Sequence, residues 1–297
     1  MSQLTRRPAQ RFRRIAHPMI RTFTGNPSMH RALYSAFVFP LFLLPAVATT
    51  QTDDRAERWR DNCERGWNSD RARFCEVRTY TISPSSKISV DGGANGGVAF
   101  YGSDRRDVKI VARVQASADD DATANGIARQ VRIFTDGGQI RSEGPSSRGH
   151  TSWSVSYDIY VPSQANLAAN TENGGISAED VRGEMNFEAT NGGIHLSDVG
   201  GSVRARTTNG GVNASLSGTT WQGQGLDLQT TNGGATVYVP RGYNAQLETG
   251  TTNGGMQVDF PITVRGSLTR RISTQLGSGG PLVRVVTTNG GVHIAER

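Results

Sequence analysis

The tripeptide Asn-Gly-Gly occurs seven times, beginning at Asn95, Asn173, Asn191, Asn209, Asn232, Asn253 and Asn289, usually with Thr before it and an apolar residue after it. From Asn173 the successive spacings are 18, 18, 23, 21 and 36 residues. One short unit is therefore repeated, with a double or irregular unit in the last interval, and such a period decides the whole fold. Asn tolerates the left-handed backbone region and Gly has no Cβ to clash, so Asn-Gly marks a tight corner. Each repeat places a bend at a fixed point of the chain.

Between corners the side chains alternate. After Asn191, Ile194 and Leu196 point one way and His195 and Ser197 the other; Val203, Ala205 and Thr207 then alternate with Arg204 and Arg206. The unit before repeats the pattern with Ile176 and Ala178, then Met185, Phe187 and Ala189, and the units after give Val212, Ala214, Leu216 and Ala235, Val237, Val239. Period two is the signature of a half-buried strand. Two short strands cannot bury an apolar face alone, but units stacked ~4.8 Å apart share one core and align equivalent residues in columns. The sequence predicts an all-β chain: a β-solenoid, or β-helix, of short coils with Asn-Gly-Gly corners.

The Asn column is then expected to be structural. An Asn at the same corner of every coil can donate its amide to the Asn one coil away, as in other stacked β-structures. Removing Asn209 from mid-stack is expected to cost about 1–3 kcal/mol, and removing Asn289, taken as near the open end, to cost less. Calcium-binding turns would need carboxylates, whereas these turns carry Asn and Thr.

Residues 1–48 differ in kind. They hold seven Arg and no Asp or Glu, followed by an apolar run from Ala32 to Ala48 that contains Pro40 and Pro45 and ends Ala46-Val47-Ala48. This is the order of a secretory leader, with cleavage expected after Ala48 and Met29 or Met19 as alternative starts. An uncleaved membrane anchor is the other reading, and the only membrane contact expected. Without those residues the formal charge of +6 disappears, leaving 25 basic against 26 acidic side chains. Nucleic-acid binding, which needs clustered Lys and Arg, is not expected. Arg204 with Arg206, and Arg270 with Arg271, read as solvated strand faces. Cys63 and Cys75 are the only cysteines, and in an exported protein they are expected to pair. Two Cys without His do not make a zinc site.

Residues 49–80 read as a polar, disulfide-bearing segment, 81–165 as N-terminal coils and cap, and 166–297 as the repeat solenoid. In the middle part Lys87–Val90, Val98–Phe100, Val108–Val114 and Trp153–Val161 alternate as longer strands. Asp119-Asp120-Asp121 leads into Ala124, Ile127, Ala128 and Val131, spaced as one face of a short helix with an acidic N-terminus. Such a helix is suited to cover the first coil. At the other end, the charges that follow Asn289 would blunt the open edge.

The stretches TNGGIHLSDVGGSVRARTTNGGV (190–212), WQGQGLDLQTTNGG (221–234) and TTNGGVHIAER (287–297), with the strand-and-helix segment before them, resemble the bacterial putative-adhesin family of exported domains of unknown function. The resemblance covers roughly residues 81–297. It implies a β-solenoid outside the cytoplasm, periplasmic or at the cell surface, with an adhesive role or one in sensing envelope stress, and transfers no site residue.

Catalytic constellations are sparse. His17 and His30 lie in the leader, His150 in a Ser/Gly-rich loop, and His195 and His293 on the outward strand phase. Asp180 and Asp198, 18 residues apart, would meet in neighbouring coils as a carboxylate pair, the arrangement used on glycosidic bonds. Gly277–Gly280 lacks the Lys and helix of a phosphate loop. The expected function is non-enzymatic binding of an envelope or surface partner, whether polysaccharide, peptidoglycan, peptide or protein, with no cofactor. The alternative is a β-helix carbohydrate-active enzyme, a lyase or hydrolase.

Overall fold

Every coil contributes one strand to each of two sheets, because the apolar phase on either side of the corner must turn to the same interior. In the computed structural model, which describes residues 51–65, 71–263 and 270–297, the segment before the corner joins one sheet and the segment after it the other. The leader, its cleavage site and the alternative starts lie outside the described residues. Thr49–Arg297 gathers into one compact unit.

The first sheet runs, in spatial order, Ala72–Ile82, Val108–Ala118, Ser152–Pro162, Val98–Ser103, Ile176–Glu179, Ile194–Ser197, Val212–Ser215, Ala235–Val239, Val292–Glu296 and Met256–Val258. The second runs Arg271–Leu276, Ala245–Asn253, Leu282–Asn289, Gly225–Asn232, Gly200–Asn209, Arg182–Ala189, Leu167–Thr171, Ile88–Asp91, Gln139–Glu143 and Arg132–Phe134. Repeat strands pair parallel, in a register that sets each corner over the next: Met185 opposite Val203, Val203 opposite Leu226, Ile194 opposite Val212. The apolar columns read from the sequence line one shared core, where Phe100 of the first sheet stacks on Phe187 of the second at 5.7 Å.

Two expectations about the ends are corrected. The coil containing Asn289 is not terminal. Leu282–Asn289 lies between Gly225–Asn232 and Ala245–Asn253, and Val292–Glu296 between Ala235–Val239 and Met256–Val258. The 36-residue interval after Asn253 is long because the chain first makes an antiparallel edge strand, Arg271–Leu276 against Ala245–Gly250. It then doubles back into a gap left two coils earlier. Arg297 accordingly reaches inward, its backbone N–H donating to the Val239 carbonyl at 3.0 Å, and does not blunt an edge.

The N-terminal part holds one coil of the stack and a group of longer strands. Ile88–Asp91 and Val98–Ser103, on either side of the Asn95 corner, pair parallel with Leu167–Thr171 and Ile176–Glu179, while Ala72–Ile82, Val108–Ala118 and Ser152–Pro162 pair antiparallel with one another. The first of them begins inside the segment read as polar. Helix Asp121–Gln130 has Asp120 as its N-cap, the carboxylate accepting from Thr123 N–H at 2.8 Å, and buries Ala124, Ile127 and Ala128 in the core. Arg78 of the first strand donates to the Ala128 and Val131 carbonyls, at 2.9 and 2.6 Å, satisfying carbonyls at the helix end.

A second helix, Gln51–Arg65, has no apolar stripe in the sequence and was not expected. It lies on the outer face of the three antiparallel strands, held by a disulfide from Cys63 to Cys75 with Cα atoms 6.2 Å apart. Arg55 sits over the Tyr101 ring at 5.0 Å, and Arg113 beneath Trp59 at 5.8 Å. Arg113 also bonds Asp158 at 3.1 Å. Burial raises the Asp158 carboxyl above the usual range, with Arg113 and Arg55 opposing the shift; burial likewise raises Tyr101 and Tyr160, stacked 5.1 Å apart. We expect intact mass under non-reducing conditions two hydrogens below the dithiol form. Cys75→Ser should lower stability by about 3 kcal/mol in denaturant melts, the loop-closure value for a bridge of this span.

Candidate functional site

The repeated Thr-Thr-Asn-Gly-Gly corner divides its residues between interior and surface. The first Thr points inward: Thr207 Oγ1 donates to the Gly192 carbonyl at 2.7 Å, and Thr171, Thr230, Thr287 and Thr251 do the same to Gly96, Gly210, Gly233 and Gly290. Each buried hydroxyl thus satisfies a carbonyl of the adjoining coil. The Asn side chains are exposed and connected in one direction. Asn191 donates to Asn173, Asn209 to Asn191, Asn232 to Asn209 and Asn289 to Asn232, all at 2.8 Å, and Asn253 to Asn289 at 2.9 Å. Asn173 approaches Asn95 at 3.4 Å and also bonds the Ala94 carbonyl.

The first Gly of each corner has no room for a side chain. A Cβ on Gly174, Gly192, Gly210, Gly233, Gly290 or Gly254 would lie 1.9–2.2 Å from a glycine carbonyl oxygen of the preceding coil. Because Asn289 is interior and bonded on both sides, Asn289→Ala should cost as much as Asn209→Ala. Solvent can replace part of each lost bond at these exposed positions, so we expect about 1 kcal/mol for either and less for Asn253→Ala at the end of the column, read as urea midpoints.

The second Thr of the corner and the alternate residues before it face outward on the second sheet. Thr190, Thr208, Thr231, Thr288 and Thr252 form an exposed column. Beside it run Glu188, Arg206, Gln229, Val286, Gly250 and Arg271, then Asn186, Arg204, Asp227, Arg284 and Glu248. Signs alternate across this last column: Arg204 lies opposite Asp227, Asp227 opposite Arg284 and Arg284 opposite Glu248. Arg284 bonds Asp227 at 2.8 Å, while Arg204 and Arg206 approach the same carboxylate at 3.8 Å. Gln229 donates to both Asp227 oxygens, at 3.0 and 2.8 Å. Cross-strand pairs of opposite charge favour this register.

Along the Thr column the face is a groove of ≈600 Å³, crossing the coils from Asn170 to Arg271. Its lining is hydroxyl, amide and guanidinium, with the carboxylates of Glu172 and Glu188 towards the Asn170 end. The start of the first sheet is covered by helix Gln51–Arg65, while outward residues of its coil strands, such as His195 and Asn213, are exposed.

Asp180 and Asp198 fall at equivalent positions of neighbouring coils, directly after the paired residues Glu179 and Ser197, and have φ of 57° and 51°, the left-handed region that Asp and Asn enter more readily than other side chains. Backbone geometry accounts for both, and Asp198 also approaches Arg297 at 3.8 Å. His150 pairs with Asp119 at 3.0 Å in a surface loop and His293 with Asp259 at 2.8 Å. A hydrogen bond from Gln257, then the contact with His293, holds the Asp259 carboxyl below the usual range. His195 is exposed on the other sheet. Arg270 donates to the Thr252 carbonyl. Among the described residues no group of three or more His, Cys, Asp or Glu is disposed to hold a metal ion, and no helix is long and apolar enough to cross a membrane.

The Toastrack DUF4097 family pattern matches residues 111–295, which hold most of the stacked coils. The chain belongs to the Toastrack DUF4097 family. Solved structures similar to this Toastrack chain include a putative cell adhesion protein from Clostridium sporogenes, with TM-score 0.41 and 11% identity over 75% of this chain and 100% of that one. A putative adhesin from Bacteroides fragilis aligns with TM-score 0.27 and 10% identity over 75% and 97%. No curated protein is significantly similar to the chain.

Proposed function

We propose that this Toastrack protein is a non-enzymatic, exported, adhesin-like binder that holds an extended polymer of the cell envelope or surface against the outer face of its second sheet. The observation that carries the reading is the groove itself: polar and open, with an exposed threonine from each coil, so that a chain laid along the stacking axis meets a hydroxyl every ~4.8 Å. An extended glycan advances by a similar step per sugar ring. The rows are fixed by parallel pairing and by the Asn and Thr bonds between corners, so little chain entropy is lost when a ligand is bound. The disulfide agrees with an oxidising compartment, as an exported protein requires.

The test is titration of the purified protein with host-envelope glycans and peptidoglycan fragments, followed by sizing of the recovered ligand. Binding without a change in ligand length is expected. Turnover abolished by Asp180→Asn or Asp198→Asn would replace this reading with a carbohydrate-active enzyme.

A further inference from the structure

The two sheets end in four edges of unequal length. Arg132–Phe134 and Met256–Val258 have three residues each, and Arg271–Leu276 has six, with Thr274 donating to the Thr263 carbonyl of a neighbouring segment. Short edges offer little template to another chain. The fourth edge, Ala72–Ile82, is 11 residues long. It contains no proline, and its register with Val108–Ala118 runs unbroken from end to end. Among the described residues its backbone pairs on that side alone.

Both faces of this strand are engaged. Helix Gln51–Arg65 is tied to the outward face through Cys75, and helix Asp121–Gln130 to the inward face through Arg78. The row of N–H and C=O groups along the free side is left without a partner strand. The inward residues Phe74, Tyr80 and Ile82 pack against the core yet stay half-buried, as they would where a sheet stops one strand short of covering them.

We propose that Ala72–Ile82 is a docking edge for a second copy of this chain. The same strand from each protomer pairs antiparallel about a two-fold axis through Val77, joining the ten-stranded first sheets into one continuous sheet. Such an interface is isologous, so every contact is made twice. The residues of the strand select this register. Pairing about Val77 sets Glu76 opposite the partner's Arg78 and Phe74 opposite the partner's Tyr80, an opposite-charge pair and an aromatic pair, both of which stabilise antiparallel strands. Moving the centre by one residue either way sets Glu76 against Glu76 or Arg78 against Arg78. Within its own chain Glu76 uses Oε2 to accept from Arg78 at 2.7 Å, which leaves Oε1 for the partner. Arg78 spends three of its five N–H groups on Glu76, Ala128 and Val131 of its own chain. The four side chains at the axis then alternate in sign, two carboxylates and two guanidiniums. No residue that lines the groove takes part, so the dimer carries two grooves.

The test is sedimentation velocity of the purified protein over a concentration series, with hydrogen exchange measured at the lowest and highest concentrations. One strand pair buries less than a standard interface, so we expect a monomer–dimer equilibrium with a dissociation constant of about 10–100 μM. Amides within Ala72–Ile82 should exchange more slowly as the dimer forms, while those of Met256–Val258 and Arg271–Leu276 should not change. Glu76→Arg turns two attractions into two repulsions and should raise the dissociation constant by roughly tenfold or more. Arg241→Glu, on an exposed turn beside Glu296, should leave it unchanged. Thermal melts accompany Glu76→Arg because Glu76 also holds Arg78, and the exchange measurement needs no variant. A protein that stays monomeric up to about 1 mM overturns the proposal. So does a dimer whose protection falls outside Ala72–Ile82, or one that Glu76→Arg leaves intact.

Discussion

Deleting residues 281–297 should abolish cooperative unfolding rather than produce a slightly shorter stack. Those residues form the two strands that lie inside both sheets, flanked in one by the coils of Asn232 and Asn253. They bury Val283, Val285, Val292 and Ile294 almost completely. At about 1.5–3 kcal/mol for each fully buried apolar side chain, the direct loss is about 6–12 kcal/mol, comparable to the whole stability of an ordinary domain. It also leaves Gly225–Asn232 and Ala245–Asn253 each with an unpaired edge, and Thr251 loses its Gly290 acceptor. The expected result is a featureless denaturant curve followed by circular dichroism. A cooperative transition at a lower midpoint would mean that the Asn232 and Asn253 coils can close the gap directly.

The second large effect belongs to the corner. Gly192→Ala would set a Cβ 1.9 Å from the Gly174 carbonyl oxygen, a contact with backbone on a coil fixed by its own neighbours. No rotamer relieves it, so we expect at least ~3 kcal/mol, above the usual range for overpacking. Gly255→Ala supplies the contrast. The second Gly of that corner has nothing within 4 Å of its would-be Cβ, and the change should stay within about 0.5 kcal/mol. Equal effects in urea melts would remove close approach as the reason for the first glycine.

Much of this was legible before the structure, because period two and a repeated corner are local signals. Ile194 and Leu196 had to face the same way as Val212 and Ala214, and they do, under parallel pairing. The order of stacking was not legible from the corners, which look alike wherever they stand in the chain. The charges held a clue that went unread. Aligned on their corners, Asp227 and Glu248 occupy the same column, so stacking in chain order would set two carboxylates against each other. Arg284 occupies that column too, and placing its coil between them gives alternating signs. Helix Gln51–Arg65 left no such trace, since what holds it is a disulfide and two cation–π contacts to distant residues. The groove was equally hidden, since its lining runs from Asn170 to Thr288 and only the interleaved order sets those segments side by side.

That interleaving also governs how the molecule can come into being. A repeat stack ordinarily extends one neighbour at a time, and a partly made chain already holds a valid, shorter structure. Here the coil made last belongs one place in from the end, so an emerging chain that has passed Asn253 still lacks the coil that ties the Asn253 coil to the rest of the stack. Seating that coil joins segments far apart in sequence, such as Asn232 and Asn289, a topology that slows folding. It also joins the Asn253 coil to the rest in one cooperative body. The last coil acts as a latch: until it arrives that end of the molecule stays open to chaperones and proteases, and once it is seated the Asn253 coil cannot leave without breaking both sheets.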